Sequence, residues 1–313
     1  MSGGVRHGLQ LPQSGRLANR GEVLGLAVEA EDAGLDSVWV SDHLVHPVDH
    51  AGTYPYSRTG DVPFDPEDGY LEALVTLATI AGGTERVRLG TSVLVLPMRD
   101  TLATVKQLTS LDVLCEGRLD LAVGAGWWEE EYRALGKPFA TRGTRLDEQL
   151  VVLETLWRDG RGSFDGREVS FPPVTVRPLP VQAGRPSLWI AGAGRRVFER
   201  VARHEGAGWH GIGADPGRIE GAKAAIAEAC RAAGRDDPVP LSVAVTVPRT
   251  RGELEDRVER LRGLGISQIV WIPHGRDETS GRDALGWIAG VGHDGDGASA
   301  AEASRDQCGG GTA

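Results

Sequence analysis

Eight short apolar runs, each followed by a stretch of helical periodicity, constrain the fold of this 313-residue chain more than any other feature. The first half contains RHGLQLP (6–12), SVWVSDH (37–43), RVRLGTSVLVL (86–96) and RLDLAVGAG (118–126). The second half contains PSLWIAGA (186–193), AGWHGIG (207–213), VPLSVAVTV (239–247) and SQIVWIPHG (267–275). Strands that alternate with helices favour a parallel sheet, and eight such units are typical of a closed barrel. The sequence therefore predicts an α/β fold of the (β/α)8 TIM-barrel type.

Two segments interrupt the alternation of strands and helices, and a tail follows the last strand–helix unit. Residues 46–69, after the second strand, are rich in Pro, Gly, Tyr and Asp, which is typical of a long ordered loop. Residues 158–186, after the fourth strand and its helix, form a second insertion with turn signals and a proline-rich exit. Residues 292–313 are small, polar and glycine-rich. We therefore expect one barrel domain over residues 1–291, followed by a disordered tail.

The bulk properties of the chain exclude several classes of partner. A net charge of −10 disfavours nucleic acid, because neutralising phosphates requires a basic face. No apolar run is long enough to cross a membrane, and the amino terminus leads into a strand rather than a signal peptide. The three cysteines are widely spaced and form no metal-ligand pattern, which favours idle thiols in a reducing compartment. We expect a cytoplasmic protein with no metal site.

In such a barrel the active site lies at the carboxyl ends of the strands. The second strand ends at Asp42 and His43, where an imidazole can donate or accept a proton near neutral pH. The same pair is also compatible with an aspartate that caps a turn and a histidine that is partly exposed in a loop. Sequence alone leaves both interpretations open.

The third and fourth strands end in small and aromatic residues. Residues 90–92 (Gly-Thr-Ser) would let a flat ligand approach the backbone, although ordinary packing in a tapering barrel explains them as well. After the fourth strand, Trp127 and Trp128 offer an aromatic wall. The acidic run 129–131 follows them and is also typical of a helix start, because carboxylates interact favourably with the helix dipole.

The fifth strand leads into a glycine-rich turn, residues 192–194, that opens a helix at Arg195 and Arg196. Free backbone amides at a helix start bind anions, and two arginines would add positive charge, a combination that suits a phosphate group. The turn matches neither the dinucleotide fingerprint nor the P-loop. A plain helix start with two solvent-facing arginines also explains it.

Long stretches of the chain resemble the luciferase-like monooxygenase superfamily, and within it the branch of oxidoreductases that use the deazaflavin coenzyme F420. The segments that carry the resemblance are GLQLPQSG (8–15), AEDAGLDSVWVSDHL (30–44), TYPYSRTG (53–60), the long stretch 85–136, RGTRLDEQLVVLETLW (142–157) and WIAGAGRRVFERVARHEGAGW (189–209). Together they cover most of the chain up to residue 209.

The resemblance implies roles for residues at four strand ends. Asp42 and His43 match a pair that contacts the deazaflavin, with His43 as the catalytic acid–base. The bond between Ser92 and Val93 matches a non-proline cis peptide behind the central ring of the flavin. The other cofactor-binding residues that it implies are Ala125 and Gly126 at the ring, and Gly192, Ala193, Gly194, Arg195 and Arg196 at the phosphate.

One departure from the family pattern concerns the substrate. Trp127 stands where the sugar-phosphate dehydrogenases of the family carry a catalytic glutamate, so that substrate class is not expected. Glu130 and Glu131 are near in sequence, but neither is assigned a role. We expect Tyr54, Tyr56 and Trp127 to shape the substrate pocket, whose apolar character favours an uncharged small-molecule substrate.

The predicted function is hydride transfer between coenzyme F420 and a small organic substrate. The nearest alternative is an FMN-dependent monooxygenase of the same superfamily, which uses O₂ and reduced flavin from a partner reductase. A flavin-free phosphate-binding barrel isomerase or aldolase is a further alternative, although none of the three lysines falls at a strand end. A non-catalytic flavin-binding protein is the last. The resemblance also favours a homodimer.

Overall fold

The computed structural model describes residues 4–48, 54–55, 60, 62, 65–182, 184–274 and 278–293. Its strands are, in chain order, β1 (Arg6–Gln10), β2 (Ser37–Val40), β3 (Arg88–Val95), β4 (Leu119–Gly124), β5 (Arg161–Asp165), β6 (Ser170–Thr175), β7 (Ser187–Ala191), β8 (Gly208–Ile212), β9 (Leu241–Thr246) and β10 (Gln268–Ile272). Its helices are α1 (Arg20–Asp32), α2 (Ala73–Ala81), α3 (Thr101–Leu114), α4 (Glu129–Ala134), α5 (Arg142–Asp159), α6 (Arg195–Arg203), α7 (Pro216–Ala233), α8 (Arg251–Gly263) and α9 (Glu278–His293).

The eight apolar runs of the sequence all form strands of one closed parallel barrel. The strands follow each other around the barrel in the order β1-β10-β9-β8-β7-β4-β3-β2, so that β1 pairs with both β2 and β10. Every residue of β2 and β4 is buried, as expected for parallel strands that are covered on both faces. The predicted TIM barrel is confirmed.

The predicted second insertion contains a small hairpin outside the barrel. Strands β5 and β6 pair antiparallel, and Phe164 and Phe171 lie opposite each other with ring centroids 6.5 Å apart. Both rings pack against the main hydrophobic core, which anchors the hairpin to the barrel. Of the first insertion, only residues 46–48, 54–55, 60, 62 and 65–69 belong to the described part.

Tryptophan side chains fill the barrel interior where glycines make room for them. Trp39 on β2 is fully buried beside Gly8 on β1 and Gly90 on β3. A Cβ at Gly8 would lie 2.5 Å from Nε1 of this indole, and one at Gly90 would lie 2.3 Å from its ring carbons. A side chain at either position would clash, because the interior is close-packed. Packing against Trp39 therefore explains Gly90, and close approach of a ligand to the backbone is not needed to account for this glycine.

Short polar residues begin several of the helices and fix their positions around the barrel. The side chains of Asn19, Asp100 and Asp215 each accept a hydrogen bond from a backbone N–H in the first turn of α1, α3 and α7, respectively. Gly160 and Gly234 end α5 and α7 in the left-handed conformation that suits glycine. These caps fix the residues at which the helices begin and end.

The last described helix, α9, ends at His293. Residues 294–313 lie outside the described residues, so the predicted disordered tail stays a prediction. None of the helices in the described part of the chain combines the length and apolar character that a membrane crossing requires.

Candidate functional site

A cavity of about 450 Å³ opens at the carboxyl ends of the barrel strands, where the fold predicts an active site. The polar and aromatic residues that line it are Gln10, Gln13, Ser14, Ser41, Asp42, His43, Tyr54, Tyr70, Ser92, Trp127, Trp128, Glu131 and Tyr132. Among the described residues that line the cavity there is no lysine or arginine. The chemistry of the cavity therefore depends on an imidazole, two carboxylates, hydroxyls and aromatic rings.

His43, which follows β2, pairs with Glu131 of helix α4 at the edge of the cavity. Nδ1 of His43 lies 2.9 Å from Oε2 of Glu131, and Oε1 of the same carboxylate accepts a hydrogen bond from the backbone N–H of Leu44 at 2.7 Å. The His43 side chain is 9% exposed and that of Glu131 is 2% exposed. A carboxylate bound to one ring nitrogen fixes the tautomer and orientation of an imidazole, as in general acid–base sites. Glu131 thus fixes the orientation of the His43 ring.

Asp42, next to His43, links β2 to the end of β3. Its Oδ1 accepts a hydrogen bond from Nη2 of Arg99 at 2.6 Å, and its Oδ2 accepts one from the backbone N–H of Val95 at 2.9 Å. Arg99 also binds Glu72 at 2.6 Å. Burial raises the pKa of the Asp42 carboxyl, while the ion pair with Arg99 favours its ionised form. Asp42 lines the cavity, but both of its carboxylate oxygens are engaged with protein groups.

One wall of the cavity is aromatic. Trp127 and Trp128 stack with ring centroids 5.0 Å apart, and Tyr54 contacts Trp127 edge-on at 5.2 Å. The His43 ring makes edge contacts with Trp128 at 5.6 Å and with Tyr70 at 5.5 Å. These rings enclose the imidazole in apolar surface and leave a face suited to an apolar or aromatic ligand.

The floor of the cavity is formed by a break in the regular pairing of β3. The peptide bond between Ser92 and Val93 is cis, as the resemblance to the superfamily implies. The register between β3 and β4 shifts between Thr91 and Leu94, which is the mark of a β-bulge. Both Ser92 and Val93 line the cavity.

Another part of the cavity wall is built from small residues. It consists of Gly124, Ala125, Gly126, Ala191, Gly192 and Ala193, at the ends of β4 and β7. Gly126 has a φ of +72°, and a Cβ there would lie 2.7 Å from a methyl carbon of Val95. The position therefore requires glycine, and the wall stays free of long side chains.

The turn after β7 presents backbone to the cavity. Gly192 has a φ of +114° and Gly194 has a φ of +96°, conformations that favour glycine. Gly194 is the N-cap of α6 and has no side chain to bind the amides of the first turn. Helix starts of this kind bind anions through their backbone N–H groups.

The two arginines after this turn lie outside the cavity. Arg195 and Arg196 are exposed and do not line it. Nε of Arg195 lies 2.6 Å from Oε1 of Glu199, and its side chain is 90% exposed. Gly192 and Ala193 of the turn, rather than these side chains, line the cavity.

The cavity brings together most of the residues predicted from sequence. Those that line it are Asp42, His43, Tyr54, Ser92, Val93, Ala125, Gly126, Trp127, Gly192 and Ala193. Gly194, Arg195 and Arg196 do not line it, and Tyr56 lies outside the described residues. Within the described residues, no group of three or more His, Cys, Asp or Glu side chains is arranged to hold a metal ion.

Sequence reasoning missed three polar residues of the site. Glu131 belongs to an acidic run that is also typical of a helix start, and nothing in the sequence distinguishes it from its neighbours. Gln13 is buried and binds the backbone of Ser41 and Leu71, which fixes the loop after β1. Tyr70 lies within the loop before α2, and its hydroxyl is 2.5 Å from Oγ of Ser41. Burial raises the pKa of this hydroxyl, so it stays protonated at neutral pH.

The sequence matches a family model described as luciferase-like monooxygenase over residues 4–307. An uncharacterised protein of Mycobacterium tuberculosis is 31% identical over 262 residues, which cover 83% of this chain and 88% of that protein. The F420-dependent glucose-6-phosphate dehydrogenase of Kineococcus radiotolerans is 33% identical over 188 residues, which cover 58% of this chain and 50% of that protein.

Solved structures show the same barrel. An F420-dependent secondary alcohol dehydrogenase in complex with an F420–acetone adduct superposes with a TM-score of 0.75 at 18% identity, covering 92% of this chain and 99% of that one. The oxygenating constituent of 3,6-diketocamphane monooxygenase from Pseudomonas putida, in complex with FMN, superposes with a TM-score of 0.69 at 14% identity, covering 92% and 97%. At these identities the likeness concerns the fold. The match of the family model over nearly the whole chain shows more: the protein belongs to the luciferase-like monooxygenase family.

Proposed function

We propose that this protein is an oxidoreductase that transfers a hydride between coenzyme F420 and a small uncharged organic substrate, and that His43 moves the accompanying proton. The observation that carries the proposal is the pairing of His43 with the buried carboxylate of Glu131 at the edge of the cavity. The F420-dependent relative and the F420-dependent structural neighbour support the choice of cofactor.

The residues around the cavity fit a flat ring that carries a phosphate-bearing tail. The small residues at the ends of β4 and β7 leave a wall without protruding side chains, against which a ring can lie. The floor at Ser92 and Val93 adjoins this wall. The turn at residues 192–194, with its uncapped helix start, suits a phosphate group. These residues would hold the cofactor largely through backbone and small side chains.

When bound, a deazaflavin supplies a two-electron hydride donor or acceptor. The protein supplies the proton transfer: Glu131 accepts the hydrogen on Nδ1 of His43, so that Nε2 exchanges a proton with a hydroxyl or carbonyl oxygen of the substrate. The charge of Glu131 also stabilises the imidazolium that forms when the substrate gives up its proton. Positioned general acid–base groups of this kind contribute roughly 10²- to 10⁴-fold to the rate.

The charge distribution of the cavity indicates the class of substrate. Neither a lysine nor an arginine is among the described lining residues, so within that part of the chain no cationic side chain is placed to bind a phosphate or carboxylate of the substrate. The two lining carboxylates, Asp42 and Glu131, would repel an anion and are themselves bound to protein groups. An uncharged substrate that packs on Trp127 and Tyr54 agrees best with these features.

An FMN-dependent monooxygenase is the second candidate. It is supported by the similar fold of an FMN-bound monooxygenase constituent and by the backbone-rich cofactor wall, which carries few groups that select one ring over the other. In that case a flavin reductase would be a partner of this protein.

A titration of the purified protein with F420 and, separately, with FMN distinguishes the candidates. Binding is followed by quenching of tryptophan fluorescence, since Trp127 and Trp128 line the cavity. We expect a Kd for F420 at least tenfold below that for FMN, a difference of about 1.4 kcal/mol. A preference for FMN would favour the monooxygenase, and binding of neither compound would refute both. A screen of alcohols and carbonyl compounds for F420-dependent turnover then tests the reaction.

A further inference from the structure

His210 lies beneath the floor of the cavity and connects two strands through its ring nitrogens. It occupies the middle of β8 and is fully buried. Its Nε2 lies 3.0 Å from Oγ of Ser92, which lines the cavity, and its Nδ1 lies 3.0 Å from Oγ of Ser242 on β9. The ring also stacks on the Trp39 indole, with centroids 5.7 Å apart and planes 9° apart. Both nitrogens are therefore held in fixed directions.

The imidazole of His210 is neutral at physiological pH. Burial lowers its pKa to about 4. The groups that face the ring are the hydroxyls of Ser92 and Ser242 and the indole of Trp39, and none of them carries a charge. A neutral imidazole has one N–H and one lone pair, so one nitrogen donates and the other accepts.

Ser242 decides which nitrogen carries the hydrogen. It is fully buried, and His210 is the one hydrogen-bond partner of its side chain within the described residues. If Nδ1 carried the hydrogen and donated it to Ser242, the hydroxyl hydrogen of this serine would be buried without an acceptor, which is costly. The favoured arrangement has the Ser242 hydroxyl donating to Nδ1, and the ring hydrogen on Nε2.

This arrangement determines whether the Ser92 hydroxyl can donate a hydrogen bond into the cavity. Nε2–H of His210 donates to Oγ of Ser92, so the hydroxyl hydrogen of Ser92 is not used by the histidine. We propose that His210 is a positioning residue that directs the Ser92 hydroxyl into the cavity as a hydrogen-bond donor to an acceptor atom of the cofactor ring. The inference rests on the proposed function, because it requires a ring cofactor on the cavity floor.

The proposal predicts a particular pattern of cofactor affinities. Ser92→Ala removes the donor, and His210→Phe keeps a flat ring on Trp39 but removes both hydrogen bonds of the imidazole. Each single variant should weaken binding of F420, or of FMN if the wild type prefers it, by roughly 3- to 10-fold, the effect of one hydrogen bond. The double variant should be no weaker than the single variants, because both act on one contact. The absorption maximum of the bound chromophore should shift in the same way in all three.

Two further variants separate this role from a loss of packing. His210→Gln restores a donor and an acceptor on one side chain and should recover most of the affinity. His204→Gln alters another buried histidine, which pairs with Glu154 and does not line the cavity, and it should leave affinity and spectrum unchanged. Thermal unfolding of each variant reports any change in stability. Additive losses in the double variant, or losses that follow the melting temperature, would overturn the proposal.

The ring hydrogen can be located without any cofactor. In protein labelled with ¹⁵N-histidine, the His210 signals, assigned by their absence in His210→Phe, should report a neutral ring protonated on Nε2. Ser242→Ala should weaken that preference. A ring protonated on Nδ1 would overturn the inference even if F420 binds. A wild-type protein with the expected tautomer that binds neither F420 nor FMN would instead refute the proposed function, and with it the role of Ser92 toward a cofactor.

Discussion

The two sides of the cavity use different parts of the polypeptide. On one side, which we call the side-chain rim, His43, Glu131 and Asp42 act through side chains held by buried hydrogen bonds. On the other side, in the turn of residues 192–194 that we call the glycine turn, Gly192 and Ala193 line the cavity, and the adjacent arginines are exposed. Substitutions at the rim should therefore change chemistry or stability, whereas at the turn the backbone conformation should matter and the charged side chains should not.

The largest effect is expected at His43. His43→Ala should lower kcat by about 10²- to 10⁴-fold, because it removes the proposed acid–base group. The Kd for the cofactor should change less, since the cofactor wall is formed by other residues. Steady-state turnover and a fluorescence titration measure the two quantities. Full turnover in a folded His43→Ala variant would show that the proton transfer is assigned to the wrong residue.

Asp42 should matter mainly for stability. Asp42→Ala removes the more deeply buried of the two carboxylates that pair with Arg99, and with it the acceptor of the Val95 N–H, and should lower the free energy of unfolding by about 3–5 kcal/mol. Denaturant unfolding measures the change. Asp159→Ala is a matched control, because it removes an exposed carboxylate that pairs with Arg158, and no measurable change is expected. Equal stability of the two variants would contradict the structural role of Asp42.

Glu131 should act through His43. Glu131→Gln keeps the size of the side chain but removes its charge, so kcat should fall by about 10- to 100-fold, by analogy with the carboxylates that orient metal-binding histidines. Glu130→Gln is the control, because Glu130 is adjacent in sequence and does not line the cavity. Equal effects of the two substitutions on turnover would rule out a special role for Glu131.

At the glycine turn the backbone conformation should decide the effect. Gly192→Ala places a Cβ on a residue with a φ of +114°, which should cost about 1–3 kcal/mol of stability. The strained turn should also bind the cofactor more weakly. Gly221→Ala in α7, where a Cβ meets open space, should leave binding unchanged. Unaltered stability and affinity of Gly192→Ala would show that the turn does not need glycine.

The smallest effect is expected at the two arginines. The double variant Arg195→Ala, Arg196→Ala should change the Kd for the cofactor by less than about threefold, because exposed charges are screened by solvent and salt. Titrations at low and high salt measure the effect. A loss of more than about tenfold in cofactor affinity at low salt would mean that the arginine side chains next to the glycine turn bind the anion. The two sides of the cavity would then both act through side chains.

Local signals in the sequence were sufficient for the fold and for the position of the site. The eight apolar runs are the eight barrel strands, and the residues at their ends meet in one cavity. The acidic run 129–131 shows the limit of such signals, because all three residues belong to the first turn of α4, yet only Glu131 is buried. Successive helical residues point about 100° apart, and composition cannot tell which of them faces the barrel.

The sequence by itself determined the closed barrel and indicated the end at which its candidate site lies, because alternating strands and helices have few compact arrangements. It also indicated the glycine turn, because the glycines at 192 and 194 directly follow an apolar strand run in the sequence. Only the tertiary structure decided the partners of the site residues. His43 and Glu131 are 88 positions apart, and Ser92 and His210 are 118 positions apart. Such contacts exist only after closure of the barrel has brought residues of non-adjacent strands together across its interior and at its end.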